Sequence, residues 1–282
     1  MQHNYVLGIN PLGFHKIAYT EWNDAANNQT ILCMHGLTRN GRDFDYLAQN
    51  LSNNYRVVCP DLAGRGASDR LSNHHFYNQA QYAADLTALI ARLDVQSLIW
   101  IGTSLGGILG MYLAAQIRTP IKALILNDIG PLISKIGLTR ISKYAKQEHI
   151  FANIDDAERF FRNIYNTSEE ITSEQWRHLT ECSVTKLENG QYTLAYDPEV
   201  VTPMHKWWIP DINLWSLWSK IKCPVLVLRG EKSDILLRQT TDQMQNTWPQ
   251  TTVFEIPGCG HAPMLMTGDQ IYLIQNWLKS IK

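Results

Sequence analysis

The stretch Leu98-Ile99-Trp100-Ile101-Gly102-Thr103-Ser104-Leu105-Gly106-Gly107 decides how the rest of the chain is read. Residues 98–101 are a short apolar run of the kind buried in a sheet, and over residues 104–116 apolar side chains recur at helical steps. Between the two lies a G-x-S-x-G turn, Gly102 to Gly106. A serine on so tight a strand-to-helix turn is held in a strained conformation with its hydroxyl exposed, and the glycines let strand and helix approach closely. The helix N-terminus beneath it offers free N–H groups and a positive field to a developing anion. A bare five-residue match is as well explained by a glycine-rich helix start. Placement after a buried strand, with Gly107 and Gly110 continuing a close-packed face, favours a nucleophile at Ser104.

Working outward, strands are predicted at residues 17–22, 30–34, 56–59 and 123–126, with helices at 43–50 and 79–93. Strands alternating with helices predict an α/β fold with a mostly parallel central sheet covered on both faces. The alternation stops over residues 132–219. There Asp155 to Glu158 and Thr172 to Gln175 read as helix starts, and Asn189-Gly190 as a type I′ hairpin turn. Trp207, Trp208, Trp215 and Trp218 crowd the end of this segment. The sheet pattern resumes at residues 224–228 and 251–256, with helices at 237–246 and 269–281. The expected organisation is a core of residues 1–131 and 220–282 interrupted by a mainly helical cap insertion, 132–219.

Of 282 residues 45% are hydrophobic, enough for a large core, and Lys+Arg 25 against Asp+Glu 26 leaves a net charge of −1. That balance, with no local basic block, gives no footprint for nucleic acid. The longest nearly uncharged stretch, residues 100–115, is too short for a membrane span. No secretory signal is evident, and five scattered cysteines read as reduced thiols, so a cytoplasmic protein is expected. Gly64-Arg65-Gly66 lacks the third glycine of a dinucleotide fingerprint, and no metal-ligand spacing occurs, so neither cofactor nor metal is expected.

A serine nucleophile needs a base, and the base an orienting acid. Of nine histidines, His149, His178 and His205 read as solvated positions in the insertion, and His74-His75 as a surface turn. His261 stands in the rigid loop Pro257-Gly258-Cys259-Gly260-His261-Ala262-Pro263, directly after the last strand. An acid follows a strand end in Gly230-Glu231-Lys232-Ser233-Asp234, and a second, Asp128, follows the strand at 123–126. Asp234 is favoured, because one helix and one strand between it and His261 bring their loops side by side. Asp128, beside Pro131, is expected to cap or brace the entry to the insertion.

These stretches, with His35-Gly36 after a strand and Pro60-Asp61-Leu62-Ala63-Gly64-Arg65-Gly66-Ala67-Ser68, resemble the α/β-hydrolase fold superfamily in its cap-bearing serine hydrolase branch. The resemblance implies Ser104 as nucleophile, His261 as base and Asp234 as its orienting acid. It implies the backbone N–H groups of Leu37 and Leu105 as oxyanion hole, His35 as a structural brace and residues 61–68 as scaffold. The expected activity is hydrolysis of a small to medium carboxylic ester through an acyl-enzyme. Cleavage of a carbon–carbon bond in a β- or vinylogous diketone, or of a lactone or thioester, stands as the alternative. A catalytically silent ligand-binding member is the different-class alternative, and its usual mark, a lost triad residue, is absent. The insertion tryptophans are expected to roof an apolar pocket. The oligomeric state is left open.

Overall fold

A computed structural model describes residues 1–23, 29–145, 147–165, 167–205 and 210–281, with the side chains of 203–205 outside the description. The strands are β1 (Gln2–Asn10), β2 (Gly13–Trp22), β3 (Thr30–Met34), β4 (Arg56–Pro60), β5 (Leu98–Thr103), β6 (Ile121–Asn127), β7 (Val225–Gly230) and β8 (Thr251–Ile256). Among the described residues they form one eight-stranded sheet in the order β1-β2-β4-β3-β5-β6-β7-β8. β1 and β2 pair antiparallel, as do β2 and β4, and from β4 onward every pair is parallel.

Side-chain alternation divides the core into two layers. Leu32, Met34, Trp100, Leu124 and Val227 point to one face, where they meet α2 (Gln79–Arg92), α3 (Leu105–Ala114) and α8 (Arg238–Thr247) through Leu86, Leu109 and Met244. Ile31, Cys33, Ile101, Ile125 and Leu226 point to the other, against Leu47 of α1 (Asp45–Leu51) and Ile274 of α9 (Gly268–Ser280). From β3 the chain crosses to β4 on one side and returns to β5 on the other. That reversal opens a crevice beyond the carboxyl ends of β3 and β5, where α/β proteins place their ligands.

Between β6 and β7, which hydrogen-bond directly to each other, the chain makes a long excursion. It contains α4 (Lys135–Ala145), α5 (Ile154–Tyr165), α6 (Ser173–Ser183) and α7 (Trp215–Trp218). A small antiparallel sheet joins Ile150–Phe151, Tyr192–Leu194 and Val184–Lys186. The helix start read at Thr172 is a complete capping box: its hydroxyl accepts from Gln175 N–H, and the Gln175 side chain accepts from Thr172 N–H. The hairpin at Asn189-Gly190 exists, but only Gly190 takes a positive φ (86°), so the turn is not type I′, which needs positive φ at both residues.

Two expectations need correction. The sequence reading passes over β1, an edge strand whose inward positions Asn4, Val6, Gly8 and Asn10 alternate with the exposed Tyr5, Leu7 and Ile9, so that its larger apolar residues mostly face outward. Of the tryptophans expected to roof a pocket, the two described ones, Trp215 and Trp218, do not line the cavity beside Ser104. Trp207 and Trp208 lie outside the described residues, while Trp215 and Trp218 stack edge to face and pack into the sheet-side core, Trp218 Nε1 donating to Thr247 Oγ1. Among the described residues no helix is long and apolar enough to cross a membrane.

Candidate active site

β5 ends at Thr103 and α3 begins at Leu105, leaving Ser104 alone to make the turn at φ 51°. A non-glycine residue rarely takes this conformation, and here packing on both sides enforces it. A Cβ on Gly106 would stand 2.1 Å from the Met34 carbonyl oxygen, and one on Gly102 2.4 Å from Gly106 backbone, so only glycine fits at either place. Trp100 Nε1 donates to Gly106 O (2.9 Å), and Ser104 N–H to Asn127 O (3.1 Å), which fix the turn from below.

His261 reaches this serine from the loop after β8. Its Nε2 lies 3.0 Å from Ser104 Oγ and its Nδ1 2.7 Å from Asp128 Oδ2. The expected partnership of His261 with Asp234 is therefore corrected: the carboxylate at the histidine is Asp128. Asp128 is fully buried, and its Oδ1 accepts from Gly230 N–H (2.7 Å) while Oδ2 also accepts from the Ser233 hydroxyl (2.5 Å). Asp234 turns outward and makes a bidentate pair with Arg140 of α4 (2.7 and 2.8 Å). The Arg140 guanidinium holds the Asp234 carboxyl below its ordinary range, against the opposing effect of burial. Sequence spacing offers both aspartates; the deciding facts are the β6–β7 register, which sets Asp128 beside Gly230, and the presence of Arg140.

The loop that carries His261 is tied down on both flanks. Asn127 Nδ2 donates to Pro263 O (2.8 Å) and to Thr103 Oγ1 (3.0 Å). From the excursion, Glu169 accepts from Met264 N–H (3.2 Å), Cys259 Sγ (3.5 Å), the Gln270 side chain and the Thr167 hydroxyl. Nothing in the spacing of Asn127 or Glu169 announces these contacts.

Leu37 lines the same cavity as Ser104, and Leu105 follows the serine directly. Leu105 opens α3, so its N–H has no intrahelical acceptor. The Leu37 N–H belongs to the Gly36–Leu37 peptide, whose carbonyl accepts from His35 Nδ1 (2.7 Å). Because a trans peptide sets N–H opposite C=O, this bond fixes where the Leu37 N–H points. His35 Nε2 accepts from Leu62 N–H (3.0 Å), so the ring is the neutral Nδ1–H tautomer. Burial drives its pKa down to about 3. Asp61 holds its scaffold loop through Gly41 and Ala67 N–H, and burial raises its pKa to about 6. His178 and His149 are half-buried rather than solvated. His178 pairs with Asp45 (3.0 Å), and His149 packs on Phe160. The side chain of His205 lies outside the described residues. His74 pairs with Glu199 at the surface.

Above Ser104 and His261 is a cavity with about 110 Å³ of room for water. Its far wall comes from the excursion, chiefly Ile141, Phe160, Phe161, Tyr165 and Leu194, and its near wall from Leu37, Arg39 and Met264. Among the described residues, no cluster of three or more His, Cys, Asp or Glu is placed to hold a metal ion. The arrangement can do one kind of chemistry directly: remove a proton from Ser104 as its oxygen attacks an electrophilic carbon, and stabilise the imidazolium that results.

Residues 31–271 match the profile of the alpha/beta hydrolase family. Among curated proteins, the 3-hydroxybutyrate-oligomer hydrolase of Cupriavidus necator is 39% identical over 275 residues, covering 95% of this chain and 94% of that protein. A solved protein of Rickettsia typhi is 39% identical and superposes over the full length of both chains with a TM-score of 0.94. The solved alpha/beta hydrolase of Novosphingobium aromaticivorans is 33% identical with a TM-score of 0.89, covering 99% of this chain and 98% of that one.

Proposed function

The chain belongs to the alpha/beta hydrolase family, and from that premise we propose that it hydrolyses small to medium carboxylic esters through an acyl-enzyme on Ser104. The observation that carries this reading is the unbroken hydrogen-bond line Ser104–His261–Asp128. Ser104 Oγ attacks the ester carbonyl as His261 Nε2 takes its proton, and Asp128 holds the Nδ1–H tautomer and stabilises the imidazolium. Leu37 and Leu105 N–H receive the oxyanion, the first aimed by His35. His261 then protonates the leaving alcohol and, acting as base again, activates the water that releases the acyl group. No step needs a cofactor.

Residues 132–219 serve in this reading as a cap whose aromatic wall selects the substrate. The name of the Cupriavidus necator relative supports a short oligoester of a hydroxy acid as substrate. Five unpaired cysteines support a reducing compartment such as the cytoplasm.

The test is a fluorophosphonate probe followed by peptide mapping, beside a panel of chromogenic esters, a 3-hydroxybutyrate dimer and a vinylogous diketone. The adduct is expected on Ser104, with ester hydrolysis lost in Ser104→Ala. An adduct elsewhere, or turnover of the diketone alone, overturns the reading.

A further inference from the structure

Arg39 is the one arginine on the cavity wall among the described residues, and its side chain is only 11% exposed. Its Nε and Nη2 donate to the two Asp43 oxygens (2.9 and 2.5 Å), which uses one edge of the guanidinium. The rings of Phe161 and Tyr165 lie 5.4 and 5.9 Å from its centre. Together these contacts pin the group without saturating it. The opposite edge, one N–H each from Nη1 and Nη2, makes no hydrogen bond to a described residue, and Nη1 is not sealed off by protein. That edge has the spacing of a carboxylate. Tyr144 and Tyr165 line the same cavity, neither hydroxyl has a hydrogen bond to a described residue, and burial pushes both pKa values up, so they remain donors.

Position supplies the second half of the argument. Arg39 Cγ and Ser104 Cβ each lie 3.7 Å from the point where a side chain on Gly36 would begin. The Arg39 stem and the nucleophile therefore flank Gly36 on one cavity, and Arg39 stands two residues after the proposed oxyanion residue Leu37, in a turn closed by Arg39 N–H on Gly36 O (3.3 Å). An anion held there shares the cavity with the carbonyl that Ser104 attacks. The apolar wall of Phe160, Phe161 and Leu194 is left for the uncharged remainder of the substrate.

We propose that Arg39, with the Tyr144 and Tyr165 hydroxyls, binds the free carboxylate of a hydroxy-acid ester, so that the site cleaves the ester bond next to the acid end. This rests on the ester-hydrolase reading above and adds to it a substrate class and a direction of cleavage. The Asp43 carboxylate, which also lines the cavity, holds the Nε and Nη2 edge of the guanidinium, and the incoming carboxylate takes the edge that Asp43 leaves.

The experiment compares kcat/KM for the 3-hydroxybutyrate dimer with a free carboxylate against its methyl ester, in wild type, Arg39→Gln and Arg39→Lys. Wild type is expected to favour the free acid by about tenfold or more, the size of charge-assisted hydrogen bonds. The ratio is expected to fall to near one in Arg39→Gln and to recover in part in Arg39→Lys. A wild-type ratio near one, or a high ratio that survives Arg39→Gln, overturns the proposal. Inhibition of p-nitrophenyl butyrate hydrolysis by 3-hydroxybutyrate against methyl 3-hydroxybutyrate reads the same site in wild type alone, and equal inhibition also overturns it. Hydrolysis of p-nitrophenyl butyrate without any carboxylate preference sinks this inference and leaves the ester reading standing. Absence of all ester hydrolysis sinks both.

Discussion

Both carboxylate oxygens of Asp128 are engaged, Oδ1 by Gly230 N–H and Oδ2 by the Ser233 hydroxyl and His261. An amide at this position keeps the shape but presents a donor where the Nδ1–H must be accepted. Such a change costs roughly 10⁴ in kcat in a Ser-His-Asp protease. Asp128→Asn is expected to lower kcat by about three to four orders of magnitude, while Asp234→Asn, losing only a half-exposed ion pair, changes it by less than about tenfold. Steady-state kinetics on the two variants checks this, and the opposite order would restore Asp234 as the acid. Sequence reading singled out Ser104 and His261, whose side chains the structure brings together, because local glycines and prolines mark their turns. It set Asp234 rather than Asp128 against the imidazole because side-chain direction at a strand end, and a partner 94 residues away, are not written in spacing. His35 gives a second test. Its folded pKa, about 3, lies below the ordinary 6.5, so the unfolded chain binds more protons between those values. Its contribution is fully present above pH 6.5 and is lost as pH falls toward 3, by up to about 1.4 kcal/mol per pH unit. Asp61, raised to about 6, titrates in the opposite sense over part of this window. The His35 effect is therefore read as the difference between wild type and His35→Gln in denaturant melts from pH 7 to pH 4. Wild type is expected to lose stability faster than the variant; parallel curves would refute the buried neutral ring.

At the scale of elements, the loop of His261 is gripped by two others: the end of β6 through Asn127, and the segment before α6 through Glu169. Glu169 touches neither Ser104 nor the His261 ring, so its part is to hold the loop. Glu169→Gln turns one acceptor oxygen into a donor facing the donors of Cys259, Met264 and Gln270. The expected result is a fall in kcat of up to about 10² with little change in KM, since a small displacement of a catalytic group has costs of that order. A change in KM alone would make Glu169 a substrate contact instead. The buried strands were legible because each is a continuous apolar run bounded by turn residues. β1 was not, because Tyr5, Leu7 and Ile9 face outward while its inward positions, Val6 apart, carry Asn4, Gly8 and Asn10. Phe160, Phe161 and Tyr165 of the cavity wall went unread for a related reason: they look like the ordinary buried face of a helix, whereas tryptophan crowding is conspicuous in a sequence.

Across the molecule, Ile133, Ile141, Tyr196 and Val200 of the excursion belong to the same buried cluster as Trp100, Leu124 and Val227 of the sheet. An excursion that shares the core cannot melt without exposing it. Urea unfolding followed by tryptophan fluorescence and by far-ultraviolet circular dichroism is expected to give one coincident transition. Two separated midpoints would show that residues 132–219 form a unit with a stability of their own. The side-chain partners of Asp128 also fall in a telling order along the chain. Gly230, Ser233 and His261 all come long after β6. A growing chain on the ribosome, made at about 5–20 residues per second, presents the Asp128 carboxylate first and its three partners many seconds later. Until they emerge, closing the sheet around β6 would bury a charge with nothing to answer it, at a cost of several kcal/mol. Asp128 thus delays completion of the core until the last strands arrive, and the nascent protein lacks the Ser104–His261–Asp128 line during its own synthesis.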